Sequence, residues 1–146
     1  MKGLVSFLPT ICTMTTAEEQ AKLIRLAAKH TKDGKWIGAM WNQKRPVISI
    51  RTEKGNMEAE AGFRKKRKLV EQPYITFYVA QVVLIADNRF PVEDDEASHL
   101  CHKPDCIAPA HLIWERGDYN RRRKKCVRHN ECVCRLDPPC MLNVHK

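Results

Sequence analysis

The stretch SHLCHKPDCIAPAHLIWERGDYNRRRKKC, residues 98–126, carries three histidines, three cysteines and a run of five basic residues, and its reading decides the fold. Cys101, Cys106 and His111 are spaced so that one short loop can wrap a tetrahedral ion. Zn²⁺ takes four sulfur or nitrogen ligands at about 2.0 to 2.3 Å, so three ligands from one loop need a fourth. Cys12 is the one cysteine not otherwise used, which makes it the arithmetic candidate; a plain buried thiol is the competing reading. His102 and Asp105 are local alternatives, each directly beside another ligand, where geometry is tight. Downstream, Cys126, Cys132, Cys134 and Cys140 suffice for a closed second site, with His129 and His145 as substitutes. A closed four-ligand site leaves no coordination position for water or substrate and is structural. Disulfide frameworks do not need histidine, and an odd count of seven cysteines argues against a closed set of bridges. The expectation is a reducing compartment and two bound zinc ions.

The rest of the chain fits a small stapled domain. Its 146 residues suit one compact unit, with 43% hydrophobic and 29% charged residues implying a modest core. Lys and Arg outnumber Asp and Glu by 26 to 17, a net charge of +9 that points to a polyanion, nucleic acid ahead of an anionic membrane. A merely solvated basic surface is the bland alternative. No stretch approaches the roughly 20 apolar residues of a membrane span, so no membrane partner is expected. The start, MKGLVSFLPTICTMTTA, has a lysine and a short apolar run, but Ser6, Pro9 and Thr10 interrupt it. A retained N-terminus follows, with a nuclear or cytoplasmic location rather than a cleaved signal and secretion.

Along the single domain of residues 1–146, three segments differ in pattern: a helical segment (1–35), a β-rich region (36–75) and a core with the metal ligands (76–146). Thr16 and Glu19 form a capping box, and Leu23, Leu26, Ala27 and His30 recur at helical spacing, predicting a helix over 17–30. Asp33-Gly34 marks a turn, KWIGAMW and RPVISIRT read as two short strands, and Lys54-Gly55 marks a turn after the second. In that second strand Val47, Ser49 and Arg51 share one face and Ile48, Ile50 and Thr52 the other, which nominates Ser49 and Arg51 as nucleic-acid contacts. The RKKRK run at 64–68 suits phosphate contact, nuclear import or solvent. The nearly all-apolar ITFYVAQVVLIAD is buried and, on length, a helix, while the acidic residues 93–96 read as a solvated loop.

A helix over 112–125 is expected between the two metal sites. Glu115 and Asp118 lie in its first half and Arg121, Arg122, Arg123, Lys124 and Lys125 at its end, a polarity that complements the macrodipole and could also grip phosphate. His99 and Asn120 are left without a structural task. Taken singly, each is ordinary; their joint placement around the metal ligands is the signal.

These residues, SHLCH…C…P.HL.WE…N..R…C, closely resemble the His-Cys box homing endonucleases of the ββα-metal (His-Me finger) nuclease superfamily. The resemblance is dense from Ser98 to about Cys140 and weaker around AQVV at 80–83. It implies an α+β fold: a small zinc-stabilised ββα-metal nuclease with an N-terminal helix and a short antiparallel sheet. It implies a Mg²⁺-dependent endonuclease that hydrolyses phosphodiester bonds in double-stranded DNA, leaving 5′-phosphate and 3′-hydroxyl ends. His99 matches the general base, Asn120 the ligand of the single catalytic ion, and Cys101, Cys106 and His111 the first zinc site, with the downstream cluster as the second.

Three departures accompany the match. Cys134 stands where the family has a histidine, a harmless exchange at zinc. Family members carry an arginine ahead of the buried helix that contacts the scissile phosphate, and Phe77 occupies that position, leaving Arg89 or a member of the 64–68 run to substitute. The best-known members dimerise through an arm beyond the second zinc site, which is missing here, so a nicking monomer and a homodimer built another way both stay open. The alternative function is a non-catalytic zinc module that binds nucleic acid.

Overall fold

The computed structural model describes residues 11–51 and 74–145, apart from the side chains of residues 13 and 14. After a short helix α1 (Ile11–Met14), Thr16 caps helix α2 (Ala17–Lys29) through both halves of the expected box. The Glu19 N–H donates to Thr16 Oγ1 at 3.1 Å and the Thr16 N–H to Glu19 Oε1 at 2.9 Å. Two orphan donors of the first turn are thereby satisfied. Leu23 and Ala27, four residues apart on one face, are buried. The Asp33-Gly34 pair then takes positive φ at both residues, 53° and 77°. That backbone matches the twist of flanking strands in a two-residue hairpin. It joins β1 (Thr31–Lys32) to β2 (Lys35–Trp36).

Strand β3 (Met40–Trp41), strand β4 (Arg45–Arg51) and strand β5 (Tyr74–Tyr78) form an antiparallel sheet in that order. Its register sets Val47 against Tyr78, Ser49 against Thr76 and Arg51 against Tyr74. Ile48 and Ile50 are buried and Ser49 and Arg51 exposed, as alternation predicts. Val47 is buried too, because the chain before β3 runs beside it and accepts the Val47 N–H at the Ala39 carbonyl, 3.0 Å away. The Lys54-Gly55 turn, Thr52 and the 64–68 basic run lie outside the described residues.

The apolar stretch expected as one helix is instead strand β5 followed by helix α3 (Val79–Ala86). Within β5 only Ile75 and Phe77 are buried, a period of two, whereas α3 buries Val79, Ala80, Gln81, Val82, Leu84 and Ile85 around most of its circumference. Uniform apolarity masks the point where the period changes. Helix α3 is the centre of the molecule. On one side Val79, Val82 and Ile85 pack with Leu23, Ala27, Ile48, Ile50, Ile75 and Phe77. On the other, Ala80 and Leu84 pack with Leu112, Ala97 and Trp114.

Those last residues belong to a hairpin of β6 (Asp95–His99) and β7 (Leu112–Arg116), antiparallel, followed at once by helix α4 (Gly117–His129). Two expectations change here. Asp95 and Glu96 open a strand rather than a loop, and residues 112–116 are strand rather than the start of the helix. The long-range pairing of 95–99 with 112–116 overrides the local charge pattern. The architecture is α+β, with short antiparallel sheets and a ββα unit at its C-terminal end. Among the described residues no helix is long and apolar enough to cross a membrane.

Candidate metal centres and active site

The loop between β6 and β7 turns back at His102, whose positive φ of 61° reverses the chain between Cys101 and Cys106. A 3₁₀ turn (Pro109–His111) then presents His111. The ligand atoms of Cys101, Cys106, His111 and His145 lie within 4.8 Å of one another. Cys106 Sγ is 3.3 Å from His111 Nδ1, near the roughly 3.5 Å edge of a tetrahedron built on zinc bond lengths. The fourth group is thus His145, not Cys12. Cys12 packs against the hydrophobic core beside Ile11, and burial raises its thiol pKa. Asp105 pairs with Lys103 at 3.3 Å on the surface, and His102 turns to the other cluster.

Cys126, Cys132, Cys134 and Cys140 form the second group. Its sulfurs lie 3.8 Å (Cys132 to Cys134) and 3.9 Å (Cys134 to Cys140) apart. Zinc–sulfur bonds of 2.3 Å at tetrahedral angles give an edge of about 3.8 Å. Backbone N–H groups also point at the sulfurs, Val133 at Cys126 (3.2 Å) and Cys140 at Cys132 (3.4 Å). Such donors suit thiolates. Burial pushes the Cys101 thiol up to about 11 and the Cys140 thiol up to about 12, so without a cation these groups hold their protons. Burial acts the same way on Cys126, but the N–H groups of Val133 and Cys134 outweigh it and lower its pKa. A bound divalent cation favours deprotonation throughout. Both groups are therefore able to hold zinc. His129, at the exposed end of α4, belongs to neither.

His99 ends β6. Its Nε2 lies 3.1 Å from the Cys106 carbonyl oxygen, and since a carbonyl only accepts, the ring donates there and its Nδ1 keeps a lone pair. Burial, reinforced by the Arg45 guanidinium, lowers the His99 pKa to about 4, so the ring is neutral at physiological pH. The ring lines a small cavity with Arg45, Pro46, Tyr78, Ala80, Ala97, Pro104 and Cys106. Asn120, in the first turn of α4, reaches the neighbouring residue on the strand: Ser98 Oγ donates to Asn120 Oδ1 at 2.9 Å. Asn120 Nδ2 in turn donates to Glu96 Oε1 at 3.1 Å. The hairpin and helix thus gather His99, Ser98, Glu96 and Asn120 into one ββα unit.

A family model described as "Zinc-binding loop region of homing endonuclease" matches residues 47–146. The chain belongs to this homing endonuclease family. Membership implies nuclease activity with DNA as the substrate. No curated protein and no solved structure matches the chain significantly.

Of the two expected substitutes for the missing arginine in this homing endonuclease, Arg89 is engaged elsewhere, and the 64–68 run lies outside the described residues. Phe77 is wholly buried in the core. Arg89 pairs with Asp87 at 2.9 Å and donates to the Leu112 and Pro109 carbonyls at 2.8 and 2.6 Å, which ties down the metal-binding loop. Arg45 is the cation beside His99. Sequence reading missed it, because the approach of β4 to the β6–β7 loop is a tertiary contact with no local signal; an arginine opening an amphipathic strand was the only hint. On the same sheet Arg45 stacks over Tyr78 (5.5 Å) and Arg51 over Tyr74 (5.9 Å), with the Ser49 and Thr76 hydroxyls 2.6 Å apart between them.

The arginines of α4 divide. Arg121 is exposed. Arg122 donates twice to the Cys134 carbonyl, at 3.1 and 2.8 Å, and fastens the second metal loop to the helix. Arg123 is fully buried and pairs with Glu115 at 2.8 Å, so it is a structural cation and not the phosphate contact the basic run suggested.

Proposed function

We propose that this homing endonuclease is a Mg²⁺-dependent DNA endonuclease in which His99 is the general base and Asn120 a ligand of the catalytic ion, with two zinc ions as scaffold. The observation that carries the reading is the His99 ring, neutral, fixed by the Cys106 carbonyl through Nε2 and left with a free Nδ1 beside an arginine. A neutral imidazole in a set tautomer takes the proton of an attacking water at Nδ1 as the new phosphorus–oxygen bond forms. Arg45 faces the phosphate, stabilises the charge that grows on its oxygens, and stands in for the family's arginine. Asn120 would hold a hard divalent cation, which would supply Lewis-acid relief of the charge that develops in the reaction. The exposed face of β4 and β5, with Ser49, Arg51 and Tyr74, contacts the duplex, and Arg121 meets its backbone.

The test is cleavage of supercoiled plasmid with Mg²⁺ by wild type, His99→Ala and Asn120→Ala, beside salt-dependent binding to a short duplex. Loss of cleavage with retained binding in both variants is expected. Equal cleavage by His99→Ala and wild type overturns the assignment. Salt-dependent binding with no cleavage at any divalent ion would instead make the chain a non-catalytic zinc module.

A further inference from the structure

The β6–β7 register sets Glu96 directly opposite Glu115. Like charges across an antiparallel pair destabilise it. Glu115 is compensated by the buried Arg123, 2.8 Å away. Glu96 makes no ion pair within 4 Å among the described residues, and the cation nearby is Arg121, on the first turns of α4. The Glu96 carboxylate lies over Gly117, the first residue of α4. A Cβ built there would stand 2.6 Å from Glu96 Oε2, 3.1 Å from its Cδ and 3.2 Å from Arg121 Nη1. Those distances are too short for any residue but glycine unless the carboxylate moves. Gly117 has no positive φ; the space its missing side chain leaves is occupied by the Glu96 carboxylate and the Arg121 guanidinium.

From that cradle Glu96 Oε1 reaches Asn120 at 3.1 Å. The amide turns its NH₂ to the carboxylate and its oxygen to Ser98. A half-turn of the amide about its last torsion exchanges the two ends: Nδ2 then donates to Ser98 Oγ, and Asn120 Oδ1 faces Glu96 Oε1. Two oxygens at that separation repel unless a cation bridges them. With Mg²⁺–oxygen bonds of 2.0–2.1 Å, neighbouring ligands of an octahedron stand about 3 Å apart. The 3.1 Å hydrogen bond from Asn120 Nδ2 to Glu96 Oε1 has the length of that edge, so the exchange needs no movement of either element.

We propose that Glu96 is a second protein ligand of the divalent ion held by Asn120, so that the site binds its ion through a carboxylate–amide pair. The proposal rests on the reading of Asn120 as an ion ligand. Gly117 is the positioning residue that admits the carboxylate.

The test is Mn²⁺ titration of the zinc-loaded protein, followed by water-proton relaxation, for wild type, Asn120→Ala, Glu96→Gln and Gly117→Ala, with zinc content measured in each. Glu96→Gln removes a charged oxygen ligand and is expected to weaken Mn²⁺ binding by about tenfold or more, since ligand charge sets the affinity of hard-cation sites. Gly117→Ala replaces no ligand and improves helix propensity, yet by displacing the Glu96 carboxylate it is expected to weaken Mn²⁺ binding as well. Zinc content stays unchanged in both. Wild-type Mn²⁺ affinity in Glu96→Gln, beside lost binding in Asn120→Ala, overturns the role of Glu96 and leaves Asn120 in place. A wild-type protein with no saturable Mn²⁺ site overturns both.

Discussion

Replacing His99 with glutamine removes a titrating group whose effect on stability has a definite sign and size. In the unfolded chain an imidazole titrates near 6.5, whereas the folded ring, desolvated and beside Arg45, is lowered to about 4. Between these values the unfolded chain takes up a proton that the folded chain refuses, so acid favours unfolding. The stabilisation from the neutral ring is full above about pH 6.5 and is lost as the pH falls towards 4. Integrating the proton uptake from pH 7 to pH 5 gives a loss of about 2 kcal/mol from this one group. Urea unfolding of both proteins at pH 7 and pH 5, zinc-loaded throughout, measures it. Acid also protonates the zinc ligands and the other histidines, but both proteins share those groups and the difference between them isolates residue 99. Wild type is expected to lose about 2 kcal/mol more than His99→Gln over that interval. Equal losses would mean that the ring titrates normally, and with it would go the case for a buried base in a fixed tautomer.

Arg45→Ala is expected to slow cleavage by roughly 10² at unchanged zinc content, the scale of one lost transition-state donor, and to raise the His99 pKa seen by ring NMR. His145→Ala is expected to release one of two zinc ions to a chelator while Cys12→Ser keeps both, which zinc analysis after dialysis resolves. Glu115→Gln leaves the Arg123 guanidinium buried without its counter-charge and is expected to cost about 3 to 5 kcal/mol in a denaturant melt. Leu84→Ala opens a cavity where α3 meets the β6–β7 hairpin, for a loss of about 2 to 5 kcal/mol by the same melt.

What the sequence made legible was local in origin. The α2 cap, the Asp33-Gly34 turn and the alternation of Ile48 and Ile50 each depend on residues within a few positions of one another, and the folded chain has all three. So does the composition of the second metal group, whose four cysteines lie within fifteen positions. One misreading was itself local, the strand-to-helix change inside ITFYVAQVVLIAD, hidden by uniform apolarity; the others cross long sequence separations. His145 reaches a loop more than thirty residues upstream, and counting cysteines pointed to Cys12 because nothing local ties the C-terminal segment to that loop. Residues 112–116 carry charges that suit a helix, yet they pair with 95–99, and the helix waits for Gly117. Arg123 looked like one more member of a basic run; only the fold reveals that its turn of α4 faces inward, towards Glu115. Arg45 and Glu96 acquire meaning from neighbours on other elements, which no window along the chain contains.

The two metal groups also act as one frame, and His102 explains how. It follows a ligand of the first group, and its Nε2 lies 3.3 Å from the sulfur of Cys140, a ligand of the second. Cys140 is approached too by Arg123 Nη1 at 3.5 Å, and the next residue, Met141, donates its backbone N–H to the Leu100 carbonyl at 2.8 Å. A four-thiolate zinc centre carries net negative charge, so donors on Cys140 stabilise it and orient the ligand. The chain of contacts closes a ring: β6, the first metal loop, the second metal loop, α4, and back through Glu115 to β7. Among the described residues the hydrophobic cluster beneath the hairpin has Ala80, Leu84 and Leu112 as buried members, with Val83, Ala97 and Trp114 packed against them. Zinc held by both groups, together with the buried Arg123–Glu115 pair, would lend rigidity to the unit that carries His99 and Asn120.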